Sequence, residues 1–215
     1  MANKRILFSI VLGYIIAALA LWGLFILQIR RISDAYQPVV NRLVPIINSK
    51  PMKQEIYSSF DGLTSVEVFL KNRIILNNQP LVFSLWHKSE KLREIPANGS
   101  NVGDGENVRF QFSPLTDSAN RSYTLVLEAN QTTTQNVPIE VCISNDDTYL
   151  NGKVDGEPGD ISFQTYYRPQ NRAQVMKSLA GEFIHKINRQ FIVLVSIVSV
   201  LWLLATNKPR PGIIS

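Results

Sequence analysis

Val108-Arg109-Phe110-Gln111-Phe112-Ser113-Pro114-Leu115-Thr116-Asp117-Ser118-Ala119-Asn120-Arg121-Ser122-Tyr123-Thr124-Leu125-Val126-Leu127-Glu128-Ala129 is the stretch on which the fold class turns. Val108, Phe110 and Phe112 share one parity, with Arg109 and Gln111 on the other, and Tyr123, Leu125 and Leu127 repeat the pattern. Apolar side chains at period two mean a strand with one buried face. The same alternation recurs on either side: Thr64 to Leu70, Ile139-Val141-Ile143, and Ile161-Phe163-Thr165-Tyr167. Leu81 to Trp86 is a more continuous apolar run. Turn formers punctuate these runs at Asp61-Gly62, Asn77 to Pro80, Asn98-Gly99, Asp104-Gly105, Asn151-Gly152 and Asp155-Gly156. Glycine tolerates positive φ, and Asn and Asp bond to nearby backbone, so such pairs stop strands. The pattern predicts a mainly β chain, an antiparallel sandwich of the jelly-roll type.

The ends differ in kind. Residues 6–29 and 190–206 carry no charged side chain. About 20 apolar residues in a helix cross a bilayer core roughly 30 Å thick. The 24-residue run from Ile6 to Ile29 is long enough, and Gln190 to Thr206 sits at the short limit. A cleaved leader is the rival for the first, with Lys4-Arg5 ahead of it and Ala18-Leu19-Ala20 as a cleavage-like site; however, the apolar run continues past Ala20 to Arg30-Arg31. A buried core helix is the rival for the second. Trp22 and Trp202 lie near the run ends, where indoles favour the interface. The net charge of +5 does not indicate nucleic acid: between 34 and 189 sixteen Lys or Arg face all seventeen acidic residues, and the other cations flank the apolar runs. Two spans place both termini on one side, and the short basic N-tail points to the cytoplasm, with the middle outside the cell membrane.

The expected organisation is a cytoplasmic tail 1–5, a span 6–29, a helix end and proline-bearing linker 30–50, a sandwich 51–169, an amphipathic helix 170–189, a second span 190–206 and a cytoplasmic tail 207–215. The helix follows from Val175, Leu179, Phe183 and Ile187, which recur every four residues. Its stripe must pack on something: a helical continuation over Arg30–Gln37, the sandwich, the bilayer surface or a partner. Gly13 and Ala17 form a small-xxx-small pair that permits close helix contact. One cysteine, Cys142, and two distant histidines exclude an internal disulfide and a Cys/His zinc site.

Phe110 to Ala129, together with Asn151-Gly152 and Gly156-Glu157-Pro158-Gly159-Asp160 running to Phe163-Gln164-Thr165-Tyr166-Tyr167-Arg168, resembles an extracytoplasmic β-sandwich domain of bacterial membrane proteins. That group often accompanies glycosyltransferase-like or other cell-envelope modules. The resemblance covers about residues 50–168 and implies a fold rather than catalytic residues. Any link to glycan chemistry is by association.

Candidate sites are few. Trp86, Tyr149 and Tyr166 (with Tyr167) could offer faces to a sugar ring, or could pack in core and rim. Asp155, Glu157 and Asp160, near Asn145, Asp146 and Asp147, supply oxygens of the kind calcium takes, but the D-x-D-x-D-G spacing is absent and a solvated turn pair is the alternative. No G-x-S-x-G, H-E-x-x-H or phosphate loop occurs, and no spacing singles out a nucleophile with its base. The sequence therefore predicts a non-enzymatic, membrane-anchored binding module that contacts envelope glycan or a neighbouring membrane protein. A structural or assembly subunit of a larger membrane complex is the alternative.

Overall fold

The two alternating runs that open the reading become β7 (Glu106–Leu115) and β8 (Arg121–Ala129), and the chain between them crosses from one sheet to the other. The computed structural model describes residues 2–47, 50–129, 137–147, 149–150, 152–154 and 159–186, with side chains in the two helices described from Leu12 and as far as Gly181. The chain forms two compact units, Met1–Val175 and Met176–Ser215.

The first unit holds two antiparallel sheets. One contains β1 (Ile32–Gln37), β10 (Phe163–Tyr167), β4 (Leu63–Lys71), β9 (Glu140–Ile143) and β2 (Arg42–Pro45) in that order, with β7 also paired to β4. The other runs β3 (Met52–Ser58), β8, β5 (Pro80–His87), β6 (Glu90–Asn98). Alternation aims one face of each sheet inward. Met52, Ile56, Leu81, Phe83, Leu85, Leu125 and Leu127 from the second sheet meet Leu63, Val66, Val68, Leu70, Phe110 and Tyr167 from the first, all fully buried or nearly so. Phe83 of β5 stacks on Phe110 of β7, with ring centroids 4.6 Å apart, across the two layers. Each such side chain contributes about 1.5–3 kcal/mol relative to exposure.

Five predicted strands form where the alternation lies, and β5 forms on the continuous run Leu81 to Trp86. Four others differ from expectation. Arg30–Gln37 does not continue the helix, since Ile32–Gln37 pairs with β10 as β1. The linker 38–51 contributes β2, registered Leu43 to Cys142 and Val44 to Val141. β3 has a half-polar inner face, in which Gln54 and Ser58 are as buried as Met52 and Ile56. β6 has no buried residue and carries Pro96 on the sheet edge, where a missing N–H costs no ladder bond.

A buried polar knot fixes the approach to β10. Asp160 accepts the Tyr149 N–H on Oδ2 at 2.7 Å and the Gln54 amide on Oδ1 at 3.2 Å. Gln54 Oε1 in turn accepts the Ile161 N–H at 2.9 Å. Gly159 precedes it at φ +93, and a Cβ there would lie 1.9 Å from the Ser144 carbonyl oxygen. Only glycine satisfies both the left-handed backbone and that approach.

α1 (Ala2–Gln28) is apolar on every side. From Leu12 to Gln28 most of its side chains are exposed, Tyr14, Leu19 and Leu21 among them. Among the described residues no helix is long and apolar enough to cross a membrane; they cover the side chains of only part of the uncharged run that begins at Ile6. α2 (Arg172–Lys186) starts where Asn171 Oδ1 accepts the Gln174 N–H at 3.0 Å and Gln174 Oε1 accepts the Gln170 N–H at 2.8 Å. This is a reciprocal N-terminal cap in which the first donors of the helix and its leader find partners. Val175 is buried. In the second unit Ser178 is buried, Leu179 half-buried and Met176 exposed. The side chain of Phe183, and Ile187 with the run 190–206, lie outside the described residues.

Candidate functional site

The outward-facing parity of the four-stranded sheet builds a hollow of about 830 Å³. β3 supplies Lys53 and Glu55, β8 supplies Thr124, Val126 and Glu128, and β5 supplies Trp86. Lys153 and Val154 close one side, because the Glu55 N–H donates to the Lys153 carbonyl at 3.0 Å and Val154 bridges Gln54. Lys88 and Ser89, in the turn between β5 and β6, close the other. Alternation puts these residues on one face, since every second residue of a strand points the same way.

Trp86 is held by three local features. The register slips between Leu85 and Trp86, which sets Trp86 opposite Lys91. Its Nε1–H donates to Ser84 Oγ at 2.9 Å, two residues back on the same face. The Lys91 ammonium stands 5.2 Å from the ring centroid, a cation–π distance. The indole is thus pinned along the sheet and half-buried. Lys53, Lys88 and Lys153 stand around it with Glu55 and Glu128, and the Lys91 over the indole is ion-paired to Glu94, so the hollow has a mixed polar and apolar lining whose rim carries one more ammonium group than carboxylates. A second hollow of about 680 Å³ shares Glu55, Lys88 and Thr124 and adds His87 and Arg121. His87 Nδ1 lies 3.0 Å from the Ser122 carbonyl. A carbonyl can only accept, so that nitrogen carries a proton.

The sequence candidates do not converge. Tyr149 is a core residue: its hydroxyl accepts the Tyr57 N–H at 2.9 Å and its ring meets Phe163 edge-on at 5.1 Å. Burial raises its phenol pKa above the ordinary value, and the Tyr57 backbone bond opposes that. Tyr166 lies on the outer face of the other sheet, between Arg31 and Arg109 at 5.8 and 4.9 Å from its centroid. Its hydroxyl donates to Glu67 at 2.7 Å, and Glu67 is ion-paired to Arg109. Burial, then the Glu67 bond and charge, push this phenol up as well. Tyr167 is buried in the core. Of the calcium candidates, Asp160 is buried with both carboxylate oxygens bonded inside the knot, while Asp155 and Glu157 lie outside the described residues. Among the described residues no three His, Cys, Asp or Glu side chains gather as metal ligands. Gly13 and Ala17 are exposed on α1, and nothing approaches within 4 Å of a Cβ built at Gly13.

Lys53, Val126, Glu128 and Lys153 were not singled out by sequence. They come from three separated segments and meet only because β3 and β8 are paired in register, Lys53 to Val126. The one legible signal was the outward parity of each strand. No family model matches this chain, and no curated protein matches it.

Proposed function

We propose that this chain is a membrane-anchored, extracytoplasmic binding module whose ligand is an anionic envelope glycan. The observation that carries the reading is the hollow on the four-stranded sheet, where Trp86 lies pinned among lysines above a floor that includes Val126. An indole stacks on the C–H face of a sugar ring, and ammonium groups at the rim select acidic sugars. In this reading the uncharged run 6–29, which lies in α1 as far as Gln28, crosses the bilayer, the run 190–206 crosses back, and the sandwich stands outside.

Titration of the full chain in mild detergent with a uronic-acid oligosaccharide, and with a neutral one of equal length, tests it. The acidic sugar binds more tightly, and Trp86→Ala weakens it about tenfold, roughly 1.4 kcal/mol, with melting unchanged. Equal or absent binding of both sugars contradicts the glycan reading.

One observation favours an assembly subunit instead. Beyond β4, Ile74, Ile75 and Leu76 are exposed, Ile74 by 77%, and both isoleucines hold left-handed backbone at φ 56 and 53. β-Branched residues avoid that region. Asn72 braces the loop, its Nδ2 donating to the Asn77 and Gly99 carbonyls at 2.8 and 2.9 Å. An apolar tip held this way suits a protein partner, as does the bare Gly13–Ala17 face. A monodisperse monomer in mild detergent contradicts this second reading.

A further inference from the structure

Where α1 meets the sandwich, the fold gathers cations that the sequence keeps far apart. β1 pairs with β10 through Ile32 and Tyr167, so the next residues outward, Arg31 and Arg168, leave the sheet side by side. With Arg30 they line a hollow of about 560 Å³, whose other polar walls include Thr64, Gln111 and Ser113. All three arginines are exposed, and among the described residues none is ion-paired to a carboxylate. Arg31 lies over the Tyr166 ring. Gly62 keeps Arg168 in place: its carbonyl accepts the Arg168 N–H at 2.8 Å, and a Cβ on Gly62, which sits at φ +86, would lie 2.2 Å from the Arg168 carbonyl oxygen.

Attraction to the negative C-terminal end of a helix accounts for a different arginine. Arg172 Nη1 donates to the Ile26 and Ile29 carbonyls at 3.3 and 3.0 Å, capping the last turn of α1. That bond also ties the exit of the sandwich to the end of the apolar helix. Arg30, Arg31 and Arg168 make no such carbonyl bond among the described residues, and like charges crowd together only at a cost unless an anion joins them. Guanidinium forks match the paired oxygens of a phosphate.

We propose that this hollow binds the phosphate of an anionic phospholipid headgroup. The lipid source follows from position. The hollow begins where the uncharged run 6–29 stops, which is the layer where headgroup phosphates lie if α1 spans the bilayer. The inference rests on that span reading. It adds Arg168, a residue of the sandwich, to the basic edge of the helix, so the headgroup fixes how the domain stands on the membrane.

The test uses the full chain reconstituted in phosphatidylcholine vesicles containing one-fifth phosphatidylglycerol, then extracted gently for native mass spectrometry. Wild type retains phosphatidylglycerol in preference to phosphatidylcholine. Arg31→Gln with Arg168→Gln lowers that retention at least fivefold. Arg73→Gln, which removes one positive charge as Arg30→Gln does but beyond the far end of β4 and roughly 30 Å away by strand rise, leaves it unaltered. Arg30→Gln alone lowers it in part and guards against misfolding of the double variant. Unchanged retention in both the double and the single variant overturns the inference, and so does displacement of the lipid by millimolar inorganic phosphate, which would make the site one for free phosphate. A carbonate wash of the vesicles separates the two levels. Release of the chain overturns the span reading and this inference with it, whereas a chain that stays bound with unchanged lipid retention overturns the headgroup inference alone.

Discussion

In α1, Leu19 is 61% exposed and Leu21 68%, whereas in β5 Leu81, Phe83 and Leu85 are wholly buried. The side chains are of one kind; what differs is the periodicity around them. β5 and its neighbours alternate or border strands that do, so each leucine has a facing layer to meet. α1 is apolar all round, and no single face could be buried to satisfy it. The difference teaches that apolar content marks what leaves water, while period decides whether the chain itself supplies the cover. For α1 the proposed cover is lipid.

Four substitutions and one labelling experiment sharpen that contrast. The largest effect is expected at Phe83→Ala, which removes the ring stacked on Phe110 and costs about 3–5 kcal/mol in denaturant unfolding of the full chain in detergent. Asp160→Ala comes next, at about 2–3 kcal/mol, since it leaves the Tyr149 N–H buried without an acceptor and the Gln54 amide with only the Glu55 carbonyl. An intermediate effect is expected at high pH. Burial raises the phenol pKa of Tyr149, Tyr123 and Tyr166 above 10, so the fold prefers the neutral form. Stability is therefore intact below pH 10 and falls as pH rises through the folded values. Tyr149→Phe should flatten that alkaline decline in a melting series, while costing about 1 kcal/mol at pH 7 for the lost Tyr57 bond. Leu19→Ala, by contrast, should shift unfolding by less than about 0.5 kcal/mol; a loss as large as that at Phe83 would mean that α1 packs against protein. Smallest of all is the reactivity of Cys142. It is fully buried, and burial and then the Glu140 charge push its thiol up to about 11. Alkylation of the native protein at pH 8 should be negligible, and rapid after unfolding.

Most of the core was legible because it was written at period two: β4, β7, β8, β9 and β10 coincide with runs read from Val66, Phe110, Leu125, Val141 and Phe163, and β5 with the continuous apolar run around Phe83. β3 escaped because Gln54 faces inward to complete the Asp160 knot, which breaks the apolar alternation. β1 escaped because it follows the helix within four residues and carries Ser33 and Asp34 through a register shift. β2 and β6 are too short or too exposed to show a buried parity. The hollow was legible only in Trp86. Its lysines are ordinary outward residues of separate segments, and nothing in linear order brings Lys153 to Lys53 or Arg168 to Arg31. Conversely, Tyr149 and Asp160 looked like site residues because Tyr and Asp in a glycine-rich stretch can serve a ligand; here they serve the interior.

The proposed extracytoplasmic placement of the sandwich is open to one direct measurement. Leu76, exposed at the tip beyond β4, is changed to Cys, against a native background in which the only thiol, Cys142, is buried. Intact cells producing the chain are treated with a membrane-impermeant maleimide. The account predicts that Leu76→Cys is labelled without permeabilisation and that the parent chain is not. Labelling of Leu76→Cys only after the membrane is opened would place the sandwich on the cytoplasmic side and contradict it.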